Sequence, residues 1–282
     1  MMKRVDYFKY LMSILLILAV ILAIQKNGGA PLEASSRNTQ MDQWIMELKK
    51  DPLFQKMNVD TVKNNIEQYS LTPTYTMLTF PVSIQYKAYL IVSTDSSNQE
   101  HILEYGIGSF LPYQKDAIIN EDIKQLTPKN FRYISPIESY WTYDLNKEKV
   151  YIEGSTGEWL PNFNEAVLNT YTNTSITYDD HLSNSIIDKN LSFNPMENLS
   201  WLSRDSKSNS LDWDQVQSLL KEKQKLMVVG NKYNEQVKFA YPIIGYQLWG
   251  TNQFYLAIYD DDMDLVRFLS ANNLGEYGQV LQ

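Results

Sequence analysis

The sequence predicts an α+β fold: an N-terminal membrane helix, an antiparallel β-rich module, and a C-terminal module of one helix and an antiparallel sheet. Three observations support this class. An uncharged apolar run lies near the N-terminus, two stretches have apolar residues at three- and four-residue steps, and other segments alternate apolar with polar residues. We therefore divide the chain into a signal-anchor or transmembrane segment (1–26), a linker (27–38), an α+β module (39–161), a connecting region (162–210) and a helix-plus-sheet module (211–282).

The apolar run Tyr10–Ile24 follows the cations Lys3, Arg4 and Lys9. Such a run is either a membrane anchor or the core of a cleaved signal peptide. No small-x-small cleavage site adjoins it, so we expect an uncleaved single-pass anchor, with secretion after cleavage as the alternative. Because the cations precede the run, the N-terminus should lie inside the cell and the folded body outside. The small and polar residues up to Asn38 predict a flexible spacer.

Helical spacing begins after this spacer. Trp44 and Leu48 are four residues apart, and Asp51-Pro52 interrupts the pattern. We expect a second short helix with Asp60 as its N-cap.

The stretch 74–108 changes to a period of two, which predicts antiparallel strands separated by the polar turn 96–99. Pro81 fits a bulge or an edge position, since it has no backbone N–H to donate. His101 opens a strand just after the polar turn. We therefore expect this histidine to face solvent or to be hydrogen-bonded, rather than to act as a ligand.

The segment Tyr133–Pro161 predicts two strands with an aromatic core face, around which the rest of the fold is organised. Asn146–Glu148 supplies the turn between them. A second turn, Ser155–Glu158, allows Gly157 to adopt a positive φ, where a side chain would be penalised.

Residues 138–161 resemble the hairpin of PepSY-type modules, in which an aromatic-rich strand leads into a Thr-Gly-Glu turn. The likeness lies at Tyr151, Ile152 and Thr156–Glu158, and the strand pair 86–110 is similar to the companion strands of that module. Glu153-Gly154 departs from the usual acidic-small pair, and no functional residue carries over. The resemblance implies an extracytoplasmic interaction or chaperone-like module.

Residues 211–226 predict a helix with Asp212 as its N-cap, followed by four strands that end near residue 270. Gly245 should allow its strand to approach a neighbour closely. The buried stripe of the helix is expected to consist of Trp213, Val216, Leu219 and Leu220.

This C-terminal module resembles the second half of papain-like domains of the C39-like peptidase group. The likeness lies in the helix around Trp213 and in the strands Ile243–Tyr246 and Phe254–Ile258. That family uses a catalytic cysteine, which this chain lacks, and a strand that opens with histidine, where this chain has Phe239–Pro242. The resemblance therefore implies an inactive relative.

Composition restricts the possible chemistry. With a net charge of -8 and no cluster of Lys and Arg, the chain does not fit a nucleic-acid binder. It has no cysteine, so disulfides and thiolate zinc sites lack their groups, and a Ser-His-Asp triad has only His101 and His181 to draw on. We assign no catalytic residue, cofactor or metal ligand. Asp179-Asp180-His181 is typical of a solvated turn, and the acidic run Asp260–Asp264 leaves open whether calcium binds there.

These features predict a membrane-anchored, extracytoplasmic, non-catalytic binding or accessory protein with a protein partner, of a composition typical of low-GC Gram-positive bacteria. Because Trp and Tyr dominate interface energies, the candidate contact residues are aromatic: Tyr140, Trp141, Trp159, Tyr246 and Trp249. The alternative is a cell-wall or peptide hydrolase, which needs two carboxylates roughly 5–10 Å apart in one cleft. Its candidates are Glu138, Glu153, Glu158 and Asp260–Asp262.

Overall fold

Antiparallel strands make up most of the computed structural model, which describes residues 31–95, 99–114, 123, 125–165, 181–203, 212–251, 253–261, 263–274 and 278–282. Its content is 47% strand and 20% helix. The strands are β1 (Glu67–Ser70), β2 (Tyr75–Pro81), β3 (Lys87–Thr94), β4 (Glu100–Gly108), β5 (Asn130–Ser135), β6 (Glu138–Leu145), β7 (Glu148–Glu153), β8 (Trp159–Leu160), β9 (Leu182–Ile187), β10 (Leu226–Lys232), β11 (Val237–Trp249), β12 (Gln253–Asp260), β13 (Leu265–Ser270) and β14 (Gly278–Leu281).

Ten of these strands form one large sheet in the order β1-β2-β3-β4-β13-β12-β11-β10-β14, with β9 paired to β11. The centre of this sheet joins distant parts of the chain, because β4 pairs antiparallel with β13 and places Tyr105 opposite Phe268. Their two rings stack with centroids 4.6 Å apart. The remaining strands form a small sheet in the order β5-β6-β7-β8.

The predicted α+β class is wrong, because the described fold is mainly antiparallel β. We expected a β-rich module followed by a separate helix-plus-sheet module. The pairing of β4 with β13 instead places strands from both regions in one sheet. The helical patterns in the sequence correspond to helices of 18, 6 and 9 residues, which are a minor part of the described fold. Residues Gln43–Gln282 form one compact unit.

The small sheet corresponds to the predicted aromatic hairpin and its flanking strands. Asn146 and Lys147 form the turn between β6 and β7, with φ values of 54° and 72°. Gly157 has a φ of 75°, which confirms its predicted positive φ. This value lies in the left-handed region that glycine adopts without steric cost.

Helix α1 is Pro31–Leu48, α2 is Val59–Asn64, α3 is Trp213–Lys221 and α4 is Ala271–Leu274. Asp212 caps α3 as predicted, because its side chain accepts a hydrogen bond from the Gln215 N–H at 2.8 Å. The N-cap of α2 is Asn58 and not Asp60, since the helix begins one residue before Asp60. Short 3-10 helices occur at Pro52–Phe54, Lys189–Leu191, Pro195–Glu197 and Leu199–Ser203.

The predicted membrane segment 1–26 lies outside the described residues. Across the described part of the chain, no helix has the length and apolar character needed to span a membrane. Helix α1 begins at Pro31 and so covers the last part of the predicted spacer. Pro31 occupies the first helical position, where proline has no hydrogen bond to lose.

The large sheet is covered on separate areas by α3 and by the small sheet. Val216 and Leu220 of α3 are buried in a cluster with residues of β10, β11 and β12, which confirms the predicted stripe. A second cluster brings Met77 and Tyr89 of the large sheet against Tyr133 of β5. The small sheet therefore packs against the N-terminal half of the large one.

Gly245 allows close contact between β11 and β9, as predicted. A Cβ at this position would lie 1.9 Å from the Ile186 carbonyl oxygen. Real side chains do not approach backbone so closely, so only glycine fits the observed strand spacing.

Candidate functional site

A buried ion pair lies where the two sheets meet. Glu104 on β4 accepts hydrogen bonds from Arg267 on β13, with Nη2 to Oε1 at 3.0 Å. The hydroxyls of Tyr89, Tyr113 and Tyr133 also donate to Glu104. Burial raises the pKa of Glu104, while the guanidinium and the hydroxyls oppose that rise.

The contacts of the Glu104–Arg267 ion pair indicate a structural role. Both side chains are almost wholly buried, and Arg267 also donates to the Pro136 carbonyl in the turn between β5 and β6. Each hydrogen bond of Glu104 and Arg267 described above is made to another group of the protein. The pair therefore connects β4 and β13 of the large sheet to the small sheet.

A second buried cluster contains two carboxylates that were candidates for a hydrolase. Glu138 accepts a hydrogen bond from the Tyr233 N–H, and Glu153 accepts from Ser155 and Thr156. Lys232 lies 3.7 Å from Glu153, measured between Nζ and Oε1. The structure thus brings Glu138 and Glu153 around the same residue pair, Lys232 and Tyr233.

The two carboxyls of this cluster differ in proton affinity. Burial raises the pKa of Glu138, against the hydrogen bond from Tyr233 and the charge of Lys232. Burial acts in the same direction on Glu153, but Lys232, Ser155 and Thr156 outweigh it and lower the pKa of that carboxyl. Such divergence is known from acid–base pairs. However, Glu138 and Glu153 are 5% and 1% exposed, and neither is among the lining residues of the two grooves described below. Their hydrogen bonds hold protein segments together.

A broad groove runs between the Thr156–Glu158 turn and the strands β10, β11 and β12; we call it the mixed-charge groove. Its volume is about 940 Å³, within the range of ligand sites. Its lining contains both charge signs and several aromatic side chains. The lining residues are Thr156, Gly157, Glu158, Lys189, Ser192, Phe193, Asn194, Pro195, Met196, Lys232, Val237, Lys238, Phe239, Ala240, Tyr241, Pro242, Tyr259, Asp260, Asp261 and Met263.

The lysines of the mixed-charge groove have partners within the protein. Lys189 Nζ donates to Asp264 at 2.9 Å, and Lys238 Nζ donates to the Leu202 carbonyl at 2.5 Å. Lys232 is directed to Glu153 and to the Tyr241 hydroxyl. Two of these lysines are therefore paired with carboxylates, and Lys238 is hydrogen-bonded to the backbone.

Apolar side chains are exposed around this groove. Met196 lines it and is 58% exposed, and Leu199 and Leu202 follow on the next 3-10 helix. The bond from Lys238 to Leu202 places this helix at the groove. Trp159, which is 45% exposed, directly follows Glu158 of the groove lining.

A smaller groove of about 650 Å³ lies between the first strands of the large sheet and the small sheet. We call it the aromatic groove. Its walls combine four aromatic rings with amides, a hydroxyl and one lysine. The lining residues are Tyr69, Ser70, Leu71, Met77, Lys87, Tyr113, Gln114, Asn130, Phe131 and Trp141.

The five predicted contact residues differ in how far they are buried. Tyr140, Tyr246 and Trp249 are buried, with contacts that include Tyr233, Phe254 and Tyr105 respectively. Trp141 is half-buried in the aromatic groove, and Trp159 is exposed. A role in partner contact stays a prediction for these residues, and Trp159 and Trp141 have the accessible surface for it.

The predicted acidic and imidazole sites contact neighbouring residues. Asp264 accepts hydrogen bonds from Lys189, Tyr86 and Tyr259. His101 lies 2.9 Å from Asp95, which confirms the predicted hydrogen-bonded histidine, and His181 lies 3.0 Å from Glu47. Asp179, Asp180 and Asp262 are outside the described residues. Over the ranges that the structure describes, no group of three His, Cys, Asp or Glu side chains is arranged to hold a metal ion.

Sequence reasoning missed Lys232, Lys87 and the Glu104–Arg267 pair. Arg267 lies in a strand among apolar residues, and a charge in such a strand is a signal for a buried ionic partner, whereas Lys232 ends its strand after Gly230 and Asn231. The identity of that partner depends on strand pairing between distant segments. Lys87 begins a strand and carries no such signal.

Comparisons with protein-family models, curated proteins and solved structures find no match for this chain. The resemblances to PepSY-type modules and to C39-like peptidases stay predictions.

Proposed function

We propose that this chain is a non-catalytic binding protein that works on the outer side of the cell membrane and engages a protein partner at the mixed-charge groove. Its outward location rests on the cations before the apolar run Tyr10–Ile24. Release of the body after cleavage of that run is the alternative, and sequencing the N-terminus of the mature protein distinguishes the two.

The main support for this proposal is the set of exposed apolar side chains at the rim of the mixed-charge groove. Met196, Leu199, Leu202 and Trp159 are all more than one-third exposed. A cluster of exposed large apolar side chains is typical of a surface that another protein covers. The internally paired charges around it resemble the polar rim of an interface, which contributes complementarity more than affinity.

The carboxylate-hydrolase alternative receives less support. Glu138 and Glu153 are buried, with their oxygens engaged by Tyr233, Ser155 and Thr156. Glu158 and Asp260 line the groove beside compensated lysines. Catalysis by two carboxylates requires both groups to reach the same substrate bond.

The test is in-cell crosslinking of the tagged full-length chain, followed by mass spectrometry. The variants Met196→Asp and Leu199→Asp change exposed side chains, so the fold should persist. We expect one dominant crosslinked protein, reduced at least about tenfold by either variant, as for loss of an interface anchor.

The matched control is Ile84→Asp, since Ile84 is a fully exposed apolar residue in the turn between β2 and β3. This control should retain the partner. A partner captured equally by all variants would contradict the assignment of the groove, and the absence of any enriched protein would contradict the binding function.

A further inference from the structure

The aromatic groove differs from the mixed-charge groove in how its polar groups are satisfied. Trp141 Nε1 is buried and has no hydrogen-bond partner among the described residues. Buried N–H groups are rarely left in this state, because the lost bond to water is not replaced. This nitrogen is enclosed by protein, so a ligand in the groove would meet the ring of Trp141 and not its N–H.

Three further polar side chains of this groove are exposed or partly exposed, so solvent and not protein satisfies their polar atoms. Within the described part of the chain, the side chains of Lys87, Gln114 and Asn130 make no hydrogen bond or ion pair. Lys87 is also the one cation among the described lining residues, which include no carboxylate. In a chain of net charge -8, Lys87 gives this groove one positive charge with which an acidic group could pair.

The apolar part of the groove is a row of rings. Phe131 lies between Tyr113 and Trp141, with centroid distances of 6.0 Å and 4.4 Å. Phe131 and Trp141 are half-buried, and Tyr69 on the opposite wall is partly exposed. Aromatic side chains of this kind stack on the flat face of a ligand ring. Nearby amides then orient that ligand through hydrogen bonds.

From these contacts we propose that the aromatic groove is a second site, which binds a small ring-bearing acid. The ring lies against Phe131 and Trp141, the acidic group pairs with Lys87, and the amides of Gln114 and Asn130 bind its polar substituents. Both sugar acids and aromatic acids have this chemistry. The site is separate from the proposed protein-binding groove.

The test is ligand-observed NMR titration of the purified full-length chain with two acids, N-acetylmuramic acid and indole-3-acetate. Their neutral counterparts are N-acetylglucosamine and indole-3-acetamide. We expect saturable binding of one acid with a Kd on the order of 1 mM or tighter, and at least about tenfold weaker binding of its neutral counterpart. The acid that binds distinguishes the sugar source from the aromatic source.

Lys87→Met should weaken binding of that acid about tenfold and leave the neutral compound little changed, since it removes a charge-assisted contact. Lys87 is exposed, so the fold should persist. The control Lys56→Met removes an exposed lysine outside the groove and should bind as wild type. Absence of saturable binding by both acids, or equal binding by wild type and Lys87→Met, would overturn the proposal. Neither result affects the crosslinking test of the mixed-charge groove.

Discussion

Glu153 shows how one carboxylate can support the fold and not a reaction. Its Oε2 accepts hydrogen bonds from the Ser155 N–H, the Ser155 hydroxyl and the Thr156 N–H, at 2.6 to 2.8 Å. Its Oε1 faces Lys232 of β10. A single side chain thus fixes the turn after β7 and connects the small sheet to the large one.

Replacing this carboxylate tests that role at the residue scale. We expect Glu153→Gln to lower the free energy of unfolding by about 1–3 kcal/mol near neutral pH, because buried charge-assisted hydrogen bonds are lost. The pKa of Glu153 is lower in the folded chain than its ordinary value of 4.5. The charged form therefore stabilises the fold above pH 4.5, and this contribution disappears as pH falls through the lowered folded pKa.

Urea unfolding of wild type and Glu153→Gln, from about pH 7 to about pH 3, measures this difference directly. The gap between the two proteins should be constant near neutral pH and shrink in acid. Glu148→Gln, an exposed glutamate on the same strand, provides the matched control and should show almost no gap. A pH-independent gap for Glu153→Gln would indicate that packing, and not charge, is lost.

Glu153 also shows why the sequence alone could not assign its role. It is one of several carboxylates that could serve a hydrolase, and nothing in their spacing along the chain singles out a pair. Its burial depends on Lys232 and Tyr233, which are about 80 residues away in sequence and meet it only through sheet packing. The spacing of neighbouring residues in the sequence does not predict a contact between segments so far apart.

At the scale of elements, local signals were the most informative. Local interactions define the helix cap at Asp212, the positive φ of Gly157 and the turn at Asn146. Each of these features depends on residues that are only a few positions apart in the sequence. The apolar runs of β2, β3 and β4 also predicted strands, although these strands are buried or half-buried along nearly their whole length and do not alternate between buried and exposed positions. The α+β prediction was wrong because the described fold is mainly antiparallel β, with β13 of the C-terminal region paired to β4.

The cap of α3 provides a quantitative prediction for one element. Asp212→Ala should lower the free energy of unfolding by about 1 kcal/mol, because it removes the hydrogen bond to the Gln215 N–H and half of the capping box. Asp214→Ala is the matched control, since Asp214 lies in the first turn but is not the cap. It should cost only a few tenths of a kcal/mol, from the helix dipole. Urea unfolding measures both, and equal losses would show that charge and not capping matters.

At the scale of the whole molecule, the Glu104–Arg267 pair connects three regions that are distant in sequence. Glu104 belongs to β4, Arg267 to β13, and Pro136 to the turn between β5 and β6. The Tyr133 hydroxyl of β5 reaches the same carboxylate. Because these contacts are buried, removing one charge leaves the other without a compensating partner. The resulting loss of stability affects both sheets.

We therefore expect residues 43–282 to unfold as one cooperative unit, with Arg267→Met lowering the free energy of unfolding by about 3–5 kcal/mol. Hydrogen exchange followed by mass spectrometry should show the same loss of protection in β3, β6 and β12, since all three depend on the shared centre. The double variant Glu104→Leu with Arg267→Met should recover much of the loss, because no uncompensated charge remains. Lys56→Met, at an exposed lysine, should leave protection unchanged. Loss confined to β12, with β3 and β6 still protected, would instead support the predicted independent modules 39–161 and 211–282.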